Sequence, residues 1–193
     1  EGMCYFFEHQ AGKHVLVVCD APTAHVSVGS LRMRNDNGRP AVAEPQVHAW
    51  TLTHQIRSGA FASRDYNFET PSQTLEVRSA IERPHHESRH EVFDYPGHYV
   101  EVGDGGGSDR PEGVVKARRR AEQMHAGAAR VEGRTDSREL GCGSLFTLSH
   151  HPRDDQNREH LVVRADVEAD NNLPELSQTA AFECRFEVID AKV

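Results

Sequence analysis

Residues 145–163 read LFTLSHHPRDDQNREHLVV, and this stretch decides the fold class. LFTLS is short, apolar and β-prone; His150-His151-Pro152-Arg153 closes it, and Asn157 to Glu159 opens a second apolar run, as the tip of a β-hairpin would. Beyond the tip, Leu161, Val163, Ala165 and Val167 alternate with Val162, Arg164, Asp166 and Glu168. Period two marks a strand with one buried and one wet face. Phe182, Cys184, Phe186 and Val188 repeat the pattern, as do Leu75, Val77, Ser79 and Ile81. In QVHAWTLTHQI, the same rule puts His48, Trp50, Leu52, His54 and Ile56 on one side, so two histidines would share the face of the only tryptophan. MCYFFEH and KHVLVVCD, separated by Gln10-Ala11-Gly12, read as a further hairpin.

One helix interrupts this β pattern. Val114, Ala117, Ala121, Met124 and Ala128 step by three and four residues, which predicts an amphipathic helix over about 111–127. Asp109 is the expected N-cap, Pro111 fits the first turn and Gly127 the stop. The GDGGGSDR stretch at 103–110 reads as a loop entering the helix, and Pro22–Pro45, rich in Gly, Pro, Asn and Asp, as a long connection.

The chain has 193 residues, enough for one domain or a little more, and its 37% hydrophobic content is lean without being that of a disordered chain. Thirty acids against 22 bases give a net charge of −8, which excludes a generally basic nucleic-acid-binding face. Thirteen histidines make this charge sensitive to pH. No apolar run reaches membrane-spanning length, and the first residues lack the basic region and cleavage site of a signal peptide. Cys4, Cys19, Cys142 and Cys184 show no C-x-x-C spacing, so buried free thiols in a reducing compartment are expected. Both ends run straight into strand-like sequence, the pattern expected of a fragment.

His86-Glu87-Ser88-Arg89-His90 fits H-E-x-x-H, in which a helix sets two imidazoles on one metal while the Glu acts as base. The alternative function it suggests is a small zinc-dependent hydrolase with His86 and His90 as ligands and Glu87 as base. Its context is poor: Pro84 and Pro96 leave room for barely three turns, and the extended motif fails at Phe93 and Pro96. Glu112 would be a conceivable further ligand. Gly103 to Ser108 is only a partial dinucleotide fingerprint, with Ser108 where the last glycine belongs, and no βαβ pattern surrounds it. Gly141-Cys142-Gly143-Ser144 lacks a nucleophile elbow and reads as a glycine turn into LFTLS. Arg118, Arg119 and Arg120 fan across roughly 200° of helix, a solvated face rather than an anion site.

Several longer strings carry a resemblance: EGMCYFFEHQAGKHVLVVCD at 1–20, WTLTHQIRSGAFASRDYNFETPS at 50–72, FDYPGHYV at 93–100, RVEGRTDSREL after the helix, LFTLSHHPRDDQNREHLVV at 145–163 and FECRFEVIDA at 182–191. Together they resemble the valine-glycine-repeat (VgrG) spike family of type VI secretion, in the hub portion it shares with phage baseplate hubs. The resemblance implies a mainly β, α+β fold: residues 1–45 as the terminal hairpin of an α/β subdomain plus a connection, and 46–193 as the second ring-forming antiparallel barrel-like domain. It implies a homotrimer docking on the hexameric tube protein, effectors or adaptors held through regions outside this segment, and no nucleic-acid partner. It also implies assembly in the bacterial cytoplasm before secretion or delivery to a target cell, with no catalytic residues, no metal and no cofactor. In Asp65-Tyr66-Asn67-Phe68-Glu69, Tyr66 and Phe68 are expected to face the core, with Asp65, Asn67 and Glu69 outward.

Overall fold

A computed structural model describes residues 3–34, 44–81, 86–100, 111–170 and 182–192. The chain divides into two compact units, one formed by Gln55–Ala128 and the other by Met3–His54 with Ala129–Val193.

The larger unit is built on a closed six-stranded barrel of β3 (Ser27–Met33), β4 (Gln46–His54), β8 (Ala129–Thr135), β9 (Leu145–Ser149), β10 (Glu159–Ala169) and β11 (Phe182–Asp190), in the order β10-β11-β8-β4-β3-β9. The barrel is mixed rather than wholly antiparallel, because β3 runs parallel to both of its neighbours, β4 and β9. The β9–β10 hairpin forms as its sequence suggests, pairing Thr147 with Glu159 and Leu145 with Leu161. The same unit carries a two-stranded hairpin, β1 (Cys4–Gln10) with β2 (Lys13–Cys19), closed by Gly12 at φ +80°.

Three barrel strands break the period-two rule at one place each. In β3 the inward residues are Val28, Leu31 and Met33; in β4 they are Val47, Trp50 and Leu52; in β10 they are Val162 and Ala165. Each series contains one step of three residues, and at each the pairing register shifts: between Ser27 and Ser30, Val47 and Ala49, and Val162 and Arg164. A bulge adds one residue, so the side chains beyond it change face. This corrects two expectations. His48 sits at the β4 bulge and is exposed beside Asp136 instead of lining Trp50's face; in β10, His160 and Val162 are buried ahead of the bulge and Val163 at it is exposed, while Val167 is exposed although it pairs with the buried Cys184. β3 lies inside the segment read as a connection; its inward residues are out of phase across Gly29, at φ +94°, which hides the strand from a period-two search.

The barrel core is Leu31, Val47, Val131, Leu140, Phe146, Leu148, Val162, Cys184, Phe186 and Val188. Phe146 packs edge-on to Phe186 at 5.7 Å and to Trp50 at 6.4 Å between ring centroids. Gly133 on β8 pairs with Trp50 on one side and Phe186 on the other, and any β-carbon there would enter the Phe186 ring. The absent side chain makes the space that the two aromatics fill.

The smaller unit packs α1 (Pro111–Ala126) on a three-stranded sheet, β6 (Leu75–Ala80), β5 (Ala60–Asp65) and β7 (Glu91–Asp94). Phe61, Ala117 and Ala121 form its core, with Val77, Ile81 and Met124 against them. The helix buries Gly113, Ala117, Ala121 and His125, so Val114 is exposed rather than inward. The stripe keeps the expected Ala117 and Ala121 but begins at Gly113, which meets the Tyr99 ring and Val77 too closely for a side chain, and ends on His125. Asp109 and the 103–110 loop fall outside the described residues.

Candidate docking surfaces

The β1–β2 hairpin has a dry face and an unexpectedly apolar outer face. Phe6 is buried, whereas the directly opposed pairs Tyr5–Val18 and Phe7–Leu16 point the other way. These four residues are 70%, 61%, 49% and 53% exposed in that order. Four large apolar side chains side by side on one sheet face form a surface that favours a protein partner over water.

The barrel's outer wall is a lattice of opposite charges. Arg130 pairs with Glu187, Arg134 and Arg185 with Glu183, Arg185 also with Glu168, and Arg164 with Asp166. Exposed pairs of this kind contribute only about 0–1 kcal/mol each to stability. The wall therefore presents both signs of charge close together rather than a field of one sign.

The barrel interior holds a polar cluster beside its aromatics. Trp50 donates its indole N–H to Gln156 Oε1 at 3.1 Å, and His160, 1% exposed, bonds the Gln156 carbonyl through Nε2 at 3.0 Å. A carbonyl can only accept, so that ring nitrogen carries a proton. Burial holds the His160 pKa below the ordinary histidine value, with the Gln156 contact opposing the shift in part. These groups satisfy one another.

The sequence-derived candidates fall as follows. His86–Arg89 wind as a four-residue 3-10 helix, and β7 begins at Glu91, with the His90 carbonyl accepting from Ala60 N at 3.2 Å. In an α-helix the two histidines would stand about 40° apart around the axis; with three residues per turn they would be about 120° apart. The zinc-hydrolase alternative at His86, Glu87 and His90 therefore lacks the local structure its chemistry needs. Glu112 is exposed on the first turn of α1. Cys142 and Ser144 sit in the expected glycine turn: Ser144 Oγ donates to the Gly141 carbonyl at 2.6 Å, and Gly143, at φ +85°, bonds Val162. Arg118 pairs with Glu122 and Arg120 with Gln123 on an exposed face.

The expectation for residues 65–69 holds at Glu69, which is exposed, and is reversed at Tyr66, Asn67 and Phe68. Asn67 is 1% exposed while Tyr66 and Phe68 are 59% and 64% exposed. The strand ends at Asp65, whose Oδ2 accepts the backbone N–H groups of Tyr99 and Val100, and Asn67 Oδ1 accepts from Glu69 N. Asp and Asn turn the chain by binding its backbone, which takes them inward and leaves the aromatics outside.

Sequence reasoning missed the apolar outer face of the hairpin, although Tyr5, Phe7, Leu16 and Val18 stand at alternate positions. It also missed the meeting of Cys4, Cys19 and His25, the one group of three or more metal-type donors found together among the described residues. No helix among those residues is long and apolar enough to cross a membrane.

Comparison with known proteins supplies the context for these surfaces. The chain is 37% identical over 196 residues to the type VI secretion system spike protein VgrG1a of Pseudomonas aeruginosa, covering 99% of this chain and 29% of that protein. It is also 37% identical to VgrG1b of the same organism, over 99% of this chain and 25% of the relative. The chain thus spans between a quarter and a third of the length of these relatives. Among solved structures, the E. coli c3393 protein, a type VI secretion component described as similar to T4 tail proteins gp27 and gp5, matches 98% of this chain and 34% of its own. The TM-score is 0.53 at 12% identity, a likeness of fold. The family model for the phage tail baseplate hub (GPD) matches residues 1–173, and the chain belongs to that family.

Proposed function

We propose that this chain is a structural segment of a type VI secretion spike, and that its work is binding rather than catalysis. The observation that carries the reading is the apolar face of Tyr5, Phe7, Leu16 and Val18, displayed by a hairpin on a chain of the baseplate hub family. A closed barrel supplies a rigid wall, since every strand is paired on both sides and no edge is left to open. In the assembled spike three copies form the hub, the hub docks on the hexameric tube, and effectors or adaptors attach through regions outside this segment. The spike assembles in the cytoplasm and leaves the cell with the tube. The names of the spike relatives and the two surfaces described above support this reading.

Light scattering on the parental full-length protein, together with release of the tube protein into the medium, tests it. The expected result is a trimer for the wild type, and impaired assembly and release for Tyr5→Ser/Leu16→Ser, with the melting temperature of the isolated chain unchanged. A monodisperse monomer, or tube release that persists when the gene is deleted and no related gene substitutes, would refute it.

A further inference from the structure

Cys4 and Cys19 are directly opposed across the β1–β2 ladder, with their Sγ atoms 3.1 Å apart. The chain leaves β2 at Cys19, makes a 3-10 turn at Pro22–Ala24 and returns His25 to the same place. The two sulfurs and one ring nitrogen of His25 all lie within 4.8 Å of one another. Nothing in the strand pairing requires this convergence, because a hairpin end is stable without two thiols and an imidazole meeting there.

The histidine is held as a ligand is held. His25 Nδ1 bonds the Gly143 carbonyl at 2.9 Å, and since the carbonyl can only accept, Nδ1 carries the proton. In the neutral ring, the free lone pair is then on Nε2. Metal-binding histidines characteristically donate their second nitrogen to such a carbonyl, which fixes tautomer and orientation. The ring also lies on Phe6, 5.5 Å between centroids and tilted by 30°, and Phe6 in turn fills the space that the missing Gly143 side chain leaves. Cys19 is buried, His25 half-buried and Cys4 exposed, so the cluster has a wall on one side and an entrance from solvent on the other.

We propose that Cys4, Cys19 and His25 form a binding site for a soft divalent cation, of which zinc is the representative, with solvent as the fourth ligand. Two thiolates and one imidazole are the donor set that tetrahedral zinc takes. Two zinc–sulfur bonds of about 2.3 Å at a tetrahedral angle place the sulfurs about 3.8 Å apart. The observed 3.1 Å needs to open by less than 1 Å, within the reach of side-chain rotation on an exposed Cys4. Without metal the two thiols share a hydrogen bond across the end of the hairpin. A dication between them replaces that contact: one metal enters, two thiol protons leave to solvent, and two metal–thiolate bonds and one metal–imidazole bond form. The site is separate from His86 and His90 and does not depend on how the spike functions.

The test is titration of the chain with Co2+, kept reduced by a thiol-free phosphine, followed by displacement with Zn2+. The expected result is a thiolate-to-cobalt charge-transfer band saturating at one equivalent, lost on adding one equivalent of Zn2+, with about two protons released per metal bound. Cys4→Ser, at an exposed position, and His25→Gln should abolish the stoichiometric band while the circular dichroism spectrum stays that of the wild type. No charge-transfer band in the reduced wild-type chain would overturn the proposal. So would equimolar binding that survives Cys4→Ser/His25→Gln, because it would place the metal on other histidines, such as the His9–His14 pair.

Discussion

The indole N–H of Trp50 and the side-chain carbonyl of Gln156, 106 residues apart in sequence, meet at 3.1 Å inside the barrel unit. Gln156 is 2% exposed, and its other amide atom bonds Asp155 Oδ2 at 2.8 Å. The loop after β9 is thereby fastened to β4 by a half-buried hydrogen bond. Replacing Gln156 with Leu should cost about 1 kcal/mol, because the half-buried indole donor is left without its partner. Chemical denaturation of Gln156→Leu, Trp50→Phe and the double variant checks this. The double variant should be more stable than the two single losses predict, whereas strict additivity would show that the bond carries no coupling.

His160 makes the fold pH-sensitive in one direction. Its folded pKa lies below its unfolded value of about 6.5. Above that unfolded value neither state holds the extra proton, and the full stability is present. As pH falls below about 6.5 the unfolded chain takes up a proton that the native chain resists, so stability drops until the folded pKa is passed. Melting curves from pH 8 to 5 should therefore fall less steeply for His160→Gln than for the wild type. Equal slopes would remove His160 as a cause, leaving the other twelve histidines.

Gly133 and Gly141 should respond in opposite ways to alanine. At Gly133 a β-carbon would enter the Phe186 ring and stand 3.0 Å from the Ala49 backbone carbonyl, which cannot swing away. Overpacking of this kind costs about 1–3 kcal/mol. At Gly141 nothing lies within 4 Å and the backbone is not left-handed, so Gly141→Ala should be neutral or slightly stabilising. Thermal melts of the two variants decide it, and similar melting temperatures would contradict the packing described for β8.

The thiols should differ in reactivity. Cys184 is fully buried, and burial pushes its pKa up, so it should react with an aromatic disulfide reagent only when the chain unfolds. Cys142 is exposed, though partial desolvation raises its pKa too, and it should label in the native state at a rate that climbs with pH. Mass spectrometry of partly labelled protein reads both; early modification of Cys184 would mean that β11 opens locally.

Much of the β architecture was legible because a strand with one wet face writes its period directly into the sequence. The β11 alternation of Phe182, Cys184, Phe186 and Val188 is inward in the structure, and the β9–β10 hairpin forms where Pro152 and Asn157 mark its tip. The reading failed wherever one extra residue entered a strand. Up to a bulge the inward residues follow the other phase of the alternation, so His48 and Val163 were placed inside, whereas Val167 is exposed although it pairs with the buried Cys184. Asp65 and Asn67 failed differently, since their side chains serve backbone groups that only the folded turn brings near.

Local sequence determined what is set by neighbours along the chain: strand period, the helix over 111–126, the glycine turn at 141–144 and the motif strings that identify a baseplate hub. Tertiary structure decided what depends on groups far apart in sequence. Barrel closure makes β3 a parallel partner of β4 and β9, the bulges choose which face is buried, and the β1–β2 register brings Cys4 to Cys19 while the Gly143 carbonyl orients His25. The reason is physical: a residue's own chemistry fixes which contacts it can make, but only the closed sheet fixes which partner stands within 3 Å.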